Sequence, residues 1–211
     1  YHGEHDLGKM SELYARVGRI TFLVCGVIFG AFLIVGPDFI VLWAGDAYAD
    51  AYWVATLVML SLTVDLAQTL SNTIMQVANK YLFRGVMLLT LAVINIGMTI
   101  LLIQLIGIAG AALSTTICML VGCALINWYL DARVGLDVRL FWRELGGLMP
   151  SFLFLTVLFG FAYWGLPLLH ANWTTFIAGG GLYVVLYLLV FWRFALNDYE
   201  KGLIRGMLRK A

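Results

Sequence analysis

AYWVATLVMLSLTVDLAQTLSNTIMQVANK, residues 51–80, runs from Ala51 to Ala78 without a proline, a glycine or a basic residue, and its one acidic residue is Asp65. A hydrocarbon core of about 30 Å is crossed by roughly 20 helical residues rising about 1.5 Å each. The stretch is long enough to cross, and it lacks the period-two alternation of a membrane barrel strand. It reads as a transmembrane helix, and this reading decides the fold class.

Five further blocks follow the same pattern. The first runs from Ile20 to Val35, meets Gly36-Pro37 and resumes from Phe39 to Trp43. Beyond residue 80 come Tyr81 to Gln104, Ile108 to Leu130, Met149 to Leu169 and Trp173 to Leu196. The expectation is an all-α bundle of six membrane spans, with Pro37 either ending the first span or kinking it. Short connections at Asn79-Lys80, Leu105 to Gly107 and His170 to Asn172 make neighbours antiparallel. Only Asp131 to Leu148 leaves room for an interfacial excursion.

Composition agrees. Of 211 residues, 63% are hydrophobic and 12% charged, with a mean hydropathy of +0.94. Soluble domains carry about 25% charge, so a soluble enzyme is excluded, and so is disorder. Cys25, Cys118 and Cys123 lie inside apolar blocks and read as small core hydrophobes. Opening on Tyr1, the chain is expected to be trimmed or a piece of something longer.

Charge placement gives orientation. Basic residues mark the cytoplasmic side of short loops. Lys9, Arg16 and Arg19 precede the first span, and Lys80 and Arg84 lie between the second and third. Arg133, Arg139 and Arg143 separate the fourth and fifth; Arg193, Lys201, Arg205, Arg209 and Lys210 surround and follow the end of the sixth. These are all 13 Lys and Arg of the chain. Both termini are expected in the cytoplasm. Two amphipathic segments flank the bundle, one carrying Leu7, Met10, Leu13, Tyr14 and Val17, the other Leu203, Ile204, Met207 and Leu208. Each is expected either to lie on an anionic membrane surface or to be a solvated tail.

Signals of soluble catalysis are absent. His2, His5 and His170 have no metal-ligand partners at suitable spacing. Gly179-Gly180-Gly181 precedes no GK[ST], and it reads as a close-packing or bending element rather than a phosphate loop. No cofactor, metal or nucleic-acid partner is expected. The aromatic residues near span ends form an interfacial belt.

The candidate site centres on Asp65. At 100° per residue, Ser61, Asp65, Gln68, Thr69, Asn72, Gln76 and Asn79 fall within a stripe about 100° wide. Such a stripe cannot face lipid without leaving polar groups unsatisfied. Either it hydrogen-bonds to Asn95, Ser114, Thr115 and Thr116 on neighbouring spans, or it lines a hydrophilic pathway. A mid-bilayer carboxylate costs roughly 2.5–3.5 kcal/mol, and the spacing offers no Lys or Arg at its depth. Asp65 is therefore either protonated or wet, and both states suit a proton, sodium or substrate site. Asp65, Gln68, Asn72, Gln76 and Asn95 are the pathway candidates. Arg84 either meets an anionic headgroup or snorkels as a topology anchor.

Four pieces of sequence carry a resemblance. They are Gly36-Pro37-Asp38-Phe39-Ile40-Val41-Leu42-Trp43-Ala44-Gly45-Asp46-Ala47-Tyr48, Gln76-Val77-Ala78-Asn79-Lys80, Asn95-Ile96, and Gly107-Ile108-Ala109-Gly110-Ala111-Ala112-Leu113-Ser114-Thr115. Their order resembles the C-terminal region of polysaccharide and O-antigen flippases, in the multidrug/oligosaccharidyl-lipid/polysaccharide exporter superfamily. The match covers Phe32 to Thr116, and the last two spans follow by hydropathy.

The resemblance implies the last six helices of a fourteen-span transporter, with the N-terminal half as a missing partner. Residues 20–130 would then be four helices of the C-terminal lobe, and 149–196 two added helices. The flanking regions would be a cytoplasmic segment (1–19), a cytoplasmic loop (131–148) and a basic tail (197–211). It also implies flipping of a lipid-linked oligosaccharide across the inner membrane by alternating access. The alternatives are a cation-coupled multidrug antiporter, a membrane-embedded glycan-modifying transferase and a structural membrane subunit. An anionic pyrophosphate wants a cation in the cavity, which counts against the flippase unless the missing helices supply one. A transferase needs a base beside Asp38, Asp46 or Asp50, and those carboxylates are expected to be solvated.

Overall fold

A computed structural model describes residues 2–165, 173–191 and 193, which are helical with short turns and contain no strand. The end of the fifth block, the His170 loop, the end of the sixth block and the basic tail 197–211 lie outside the described residues.

Helix α1 spans His2–Ala44, and a 3-10 turn at Asp46–Tyr48 leads to α2 (Ala51–Ala67) and α3 (Leu70–Val77). Helices α4 (Tyr81–Ile106) and α5 (Ile108–Tyr129) form a hairpin, and a π-turn at Leu130–Val134 leads to α6 (Val138–Gly146). The described fold closes with α7 (Met149–Trp164) and α8 (Trp173–Val190). Among the described residues, four helical stretches are long and apolar enough to cross a membrane, and α2–α3 makes a fifth if its two parts count together. The described apolar part of α8, Phe176–Val190, is shorter. Several long apolar helices mark a multi-pass membrane protein.

Helix α1 is continuous where two boundaries were expected. Its 43 residues extend roughly 65 Å, about twice a hydrocarbon core. No break separates residues 2–19 from the first block, and Ser11, Tyr14 and Ala15 are buried inside the protein. Tyr14 is fully buried and stacks on Phe141 of α6 with ring centroids 4.5 Å apart. Arg19 bonds Glu144 at 2.7 Å. The interfacial excursion between the fourth and fifth blocks is thus a capped amphipathic helix. Asp137 accepts from the Leu140 amide at 3.1 Å, and Val138, Phe141 and Leu145 are buried. The helix also runs through Pro37.

Small residues set the helix spacings. Gly107 adopts φ 66° and ψ −149° between α4 and α5, a backbone region essentially confined to glycine. Three residues on, a Cβ at Gly110 would lie 2.3 Å from the Leu102 carbonyl oxygen, so a larger residue would force the hairpin apart. Gly179 meets Tyr163 in the same way, at 2.6 Å from a would-be Cβ. Close packing is therefore the role of at least this member of the glycine triplet. The core runs along α1 from Tyr14 through Phe22 and Phe29 to Ile34, covered by α6, α7 and α8.

Candidate functional site

The polar stripe predicted on one face of Ala51–Ala78 does not survive as a single face. Uniform 100° steps require an unbroken helix, and this one breaks between Ala67 and Leu70 with a bend of 43°. Around the break the amides reach back three residues: Gln68 to Asp65 at 3.0 Å, Thr69 to Leu66 at 3.1 Å, Ser71 to Gln68 at 2.9 Å and Asn72 to Thr69 at 3.2 Å. Hydroxyls also bond backbone carbonyls, at the break and in the turns before it. Ser61 donates to Val58, Thr63 to Met59 and Thr69 to Leu66, at 2.9, 2.7 and 2.7 Å. Such back-bonding bends helices.

The break sorts the candidates into three environments. Asp65, on the last turn of α2, lines a cleft of about 250 Å³ between α2, α4 and α5. Arg84 and Asn95 from α4 line the same cleft, together with Thr115, Cys118 and Cys123 from α5. Gln68 is 3% exposed and does not reach it; neither of its amide atoms has a hydrogen-bond partner. Asn72 is partly buried, with its Oδ1 unpartnered, and Gln76 is exposed. Of the five pathway candidates, the structure brings Asp65 and Asn95 together and leaves Gln68, Asn72 and Gln76 away from them.

Bonds within the cleft walls hold its shape. The Ser114 hydroxyl lies 3.1 Å from the Asn95 carbonyl oxygen and 2.5 Å from its Oδ1, tying α4 to α5. Thr116 donates to the Leu57 carbonyl at 3.0 Å, tying α5 to α2. Thr115 donates within its own helix, to Ala111 at 3.0 Å. The expected glue residues therefore bond to one another and to backbone, rather than to the stripe. The Asp65 carboxylate receives instead the Cys123 thiol, with Sγ 3.8 Å from Oδ1.

Two arrangements were not legible in the sequence. The first is the placing of Arg84, a candidate for either an anionic headgroup or a topology anchor, in the same cleft as Asp65. Arg84 stands on the first turn of α4 and Asp65 on the last turn of α2, and the two line the cleft from these helix ends. The second is Asp38, expected to be solvated. Tyr163 of α7 is nearly fully buried and donates to its Oδ2 at 2.6 Å. Asp46 and Asp50 are exposed as expected. No local signal pairs residues 125 positions apart. Among the described residues, no three His, Cys, Asp or Glu side chains gather to hold a metal.

The fold and the cleft together define a multi-pass helical membrane protein with opposite charges in a largely apolar wall. No family model, curated protein or solved structure matches the chain.

Proposed function

We propose that the chain is part of a polysaccharide-type flippase, which moves a lipid-linked oligosaccharide from the cytoplasmic to the outer leaflet of the inner membrane without covalent chemistry. The observation that carries this reading is the convergence of Asp65, Arg84 and Asn95 on one cleft within the apolar bundle. Intramembrane charges are costly and mark substrate or ion paths. Arg84 supplies the cation that an anionic pyrophosphate needs, and the order of the four sequence pieces supports the family. In this reading α2–α3 is one bent crossing, the bundle has six spans, and both termini are cytoplasmic. A broken span beside the cleft accords with transporter sites built on discontinuous helices.

A cation-coupled antiporter is the second reading, favoured by the Asp65 carboxylate, which forms no ion pair within 4.0 Å among the described residues. Transport by the complete protein in proteoliposomes separates the two. A flippase loses translocation of the pyrophosphate-linked glycan in both Arg84→Gln and Asp65→Asn while insertion stays normal. An antiporter loses proton- or sodium-dependent efflux in Asp65→Asn and tolerates Arg84→Gln. Unchanged transport in both variants would overturn both readings.

A further inference from the structure

Asp65 and Arg84 line one cleft, yet among the described residues neither takes part in an ion pair within 4.0 Å. Two opposite charges in a low-dielectric wall attract strongly when they touch. Held apart, neither is neutralised by an opposite charge among the described residues, Asp65 accepting only from the Cys123 thiol, and a ligand carrying both signs satisfies the two at once. The cleft's about 250 Å³ is below the roughly 300–1,000 Å³ of pockets for drug-sized ligands. It has room for a headgroup. Met87, Leu91 and Ile126 make much of the wall apolar, a surface suited to the first methylenes of acyl chains.

From these features we propose that the cleft binds the headgroup of a zwitterionic phospholipid bearing a primary amine. The phosphate lies on the Arg84 guanidinium, whose fork of donors matches phosphate oxygens. The ammonium donates to Asp65. A quaternary choline has no N–H to give the carboxylate, and a headgroup with no amine leaves Asp65 without a cation. Phosphatidylethanolamine chemistry satisfies both side chains. The proposal rests on the reading of the cleft as part of the transport path, and it makes a resident bilayer lipid the occupant between cargoes.

The test is lipid retention. The full chain is placed in nanodiscs holding equal amounts of phosphatidylethanolamine, phosphatidylcholine and phosphatidylglycerol, then released, and its bound lipids are counted by native mass spectrometry. One charge-assisted hydrogen bond corresponds to about a tenfold preference. The expected result is retention of phosphatidylethanolamine about tenfold over each of the other two. Asp65→Asn should lower it to the phosphatidylcholine level, and Arg84→Gln should abolish the preference, with thermal melting confirming that both variants fold. Equal retention of phosphatidylethanolamine and phosphatidylglycerol would mean that Arg84 alone reads an anion, and would overturn the proposal. Equal retention of phosphatidylcholine would overturn it too, and these wild-type comparisons decide the matter whether or not a variant folds. Transport that needs Asp65 without lipid preference sinks the headgroup site and leaves the flippase reading standing. Lipid preference without transport does the reverse.

Discussion

Tyr52 donates its hydroxyl to the carbonyl of Leu33 at 2.9 Å, and Leu33 is the residue that Pro37 deprives of its helical partner. A helix carbonyl normally receives the amide four residues later, and proline has none. In lipid no water replaces it. The side chain from α2 supplies the missing donor, so α1 passes through Gly36-Pro37 without ending.

Removing that hydroxyl should expose the dependence. Tyr52→Phe is expected to cost about 1–2 kcal/mol, the penalty of an orphaned buried acceptor. Pro37→Ala restores the amide, so Tyr52→Phe should cost much less in that background. Thermal melting of the four proteins in detergent gives the coupling. Equal losses in both backgrounds would break the link between Tyr52 and Pro37.

Gly30 on α1 faces the hydroxyl of Tyr183 on α8 so closely that a Cβ would lie 2.0 Å from the oxygen. The ring is fully buried, and its hydroxyl is 3.0 Å from Thr156 Oγ1, so it has nowhere to swing. Gly30→Ala should destabilise by about 1–3 kcal/mol through overpacking. Gly26→Ala meets the Tyr187 oxygen at 3.0 Å and should cost less. Melting temperatures of the two variants check the ranking.

Arg19 and Glu144 join α1 to α6 at 2.7 Å, with the arginine side chain 10% and the glutamate 34% exposed. Solvent at the glutamate screens the pair, so Glu144→Gln should cost about 1 kcal/mol. Raising salt should narrow the gap to wild type. A gap that stays constant from low to high salt would mean that the charge contributes little and packing dominates.

Gln68 is buried with both amide atoms unpartnered. An unsatisfied buried polar group costs about 1–3 kcal/mol, and an apolar side chain of similar shape removes that cost. Gln68→Met is therefore expected to raise the melting temperature, by about 2–4 °C per kcal/mol for a chain of this size. A drop would show that the amide is held by water in the native membrane.

The apolar blocks by themselves determined the all-helical class and where α4, α5 and α7 begin, because a segment in lipid must satisfy its backbone internally. Local chemistry also marked the turns: Asn79 tolerates its left-handed φ of 53°, and Gly107 takes a conformation few other residues can. Asp65 stood out for the same kind of reason, since a carboxylate amid apolar neighbours is costly wherever the helix lies. Its surroundings were a different matter. A periodicity argument carries one angle per residue through a whole segment, and the break after Ala67 cancels that angle for Gln68, Asn72 and Gln76. Whether Pro37 ends a helix depends on a hydroxyl from another helix. Arg84 beside Asp65, and Tyr163 on Asp38, depend likewise on which helices become neighbours. Those pairings are non-local packing outcomes, decided by glycines that admit close approach and by large side chains that fill the space, and only the tertiary structure contains them.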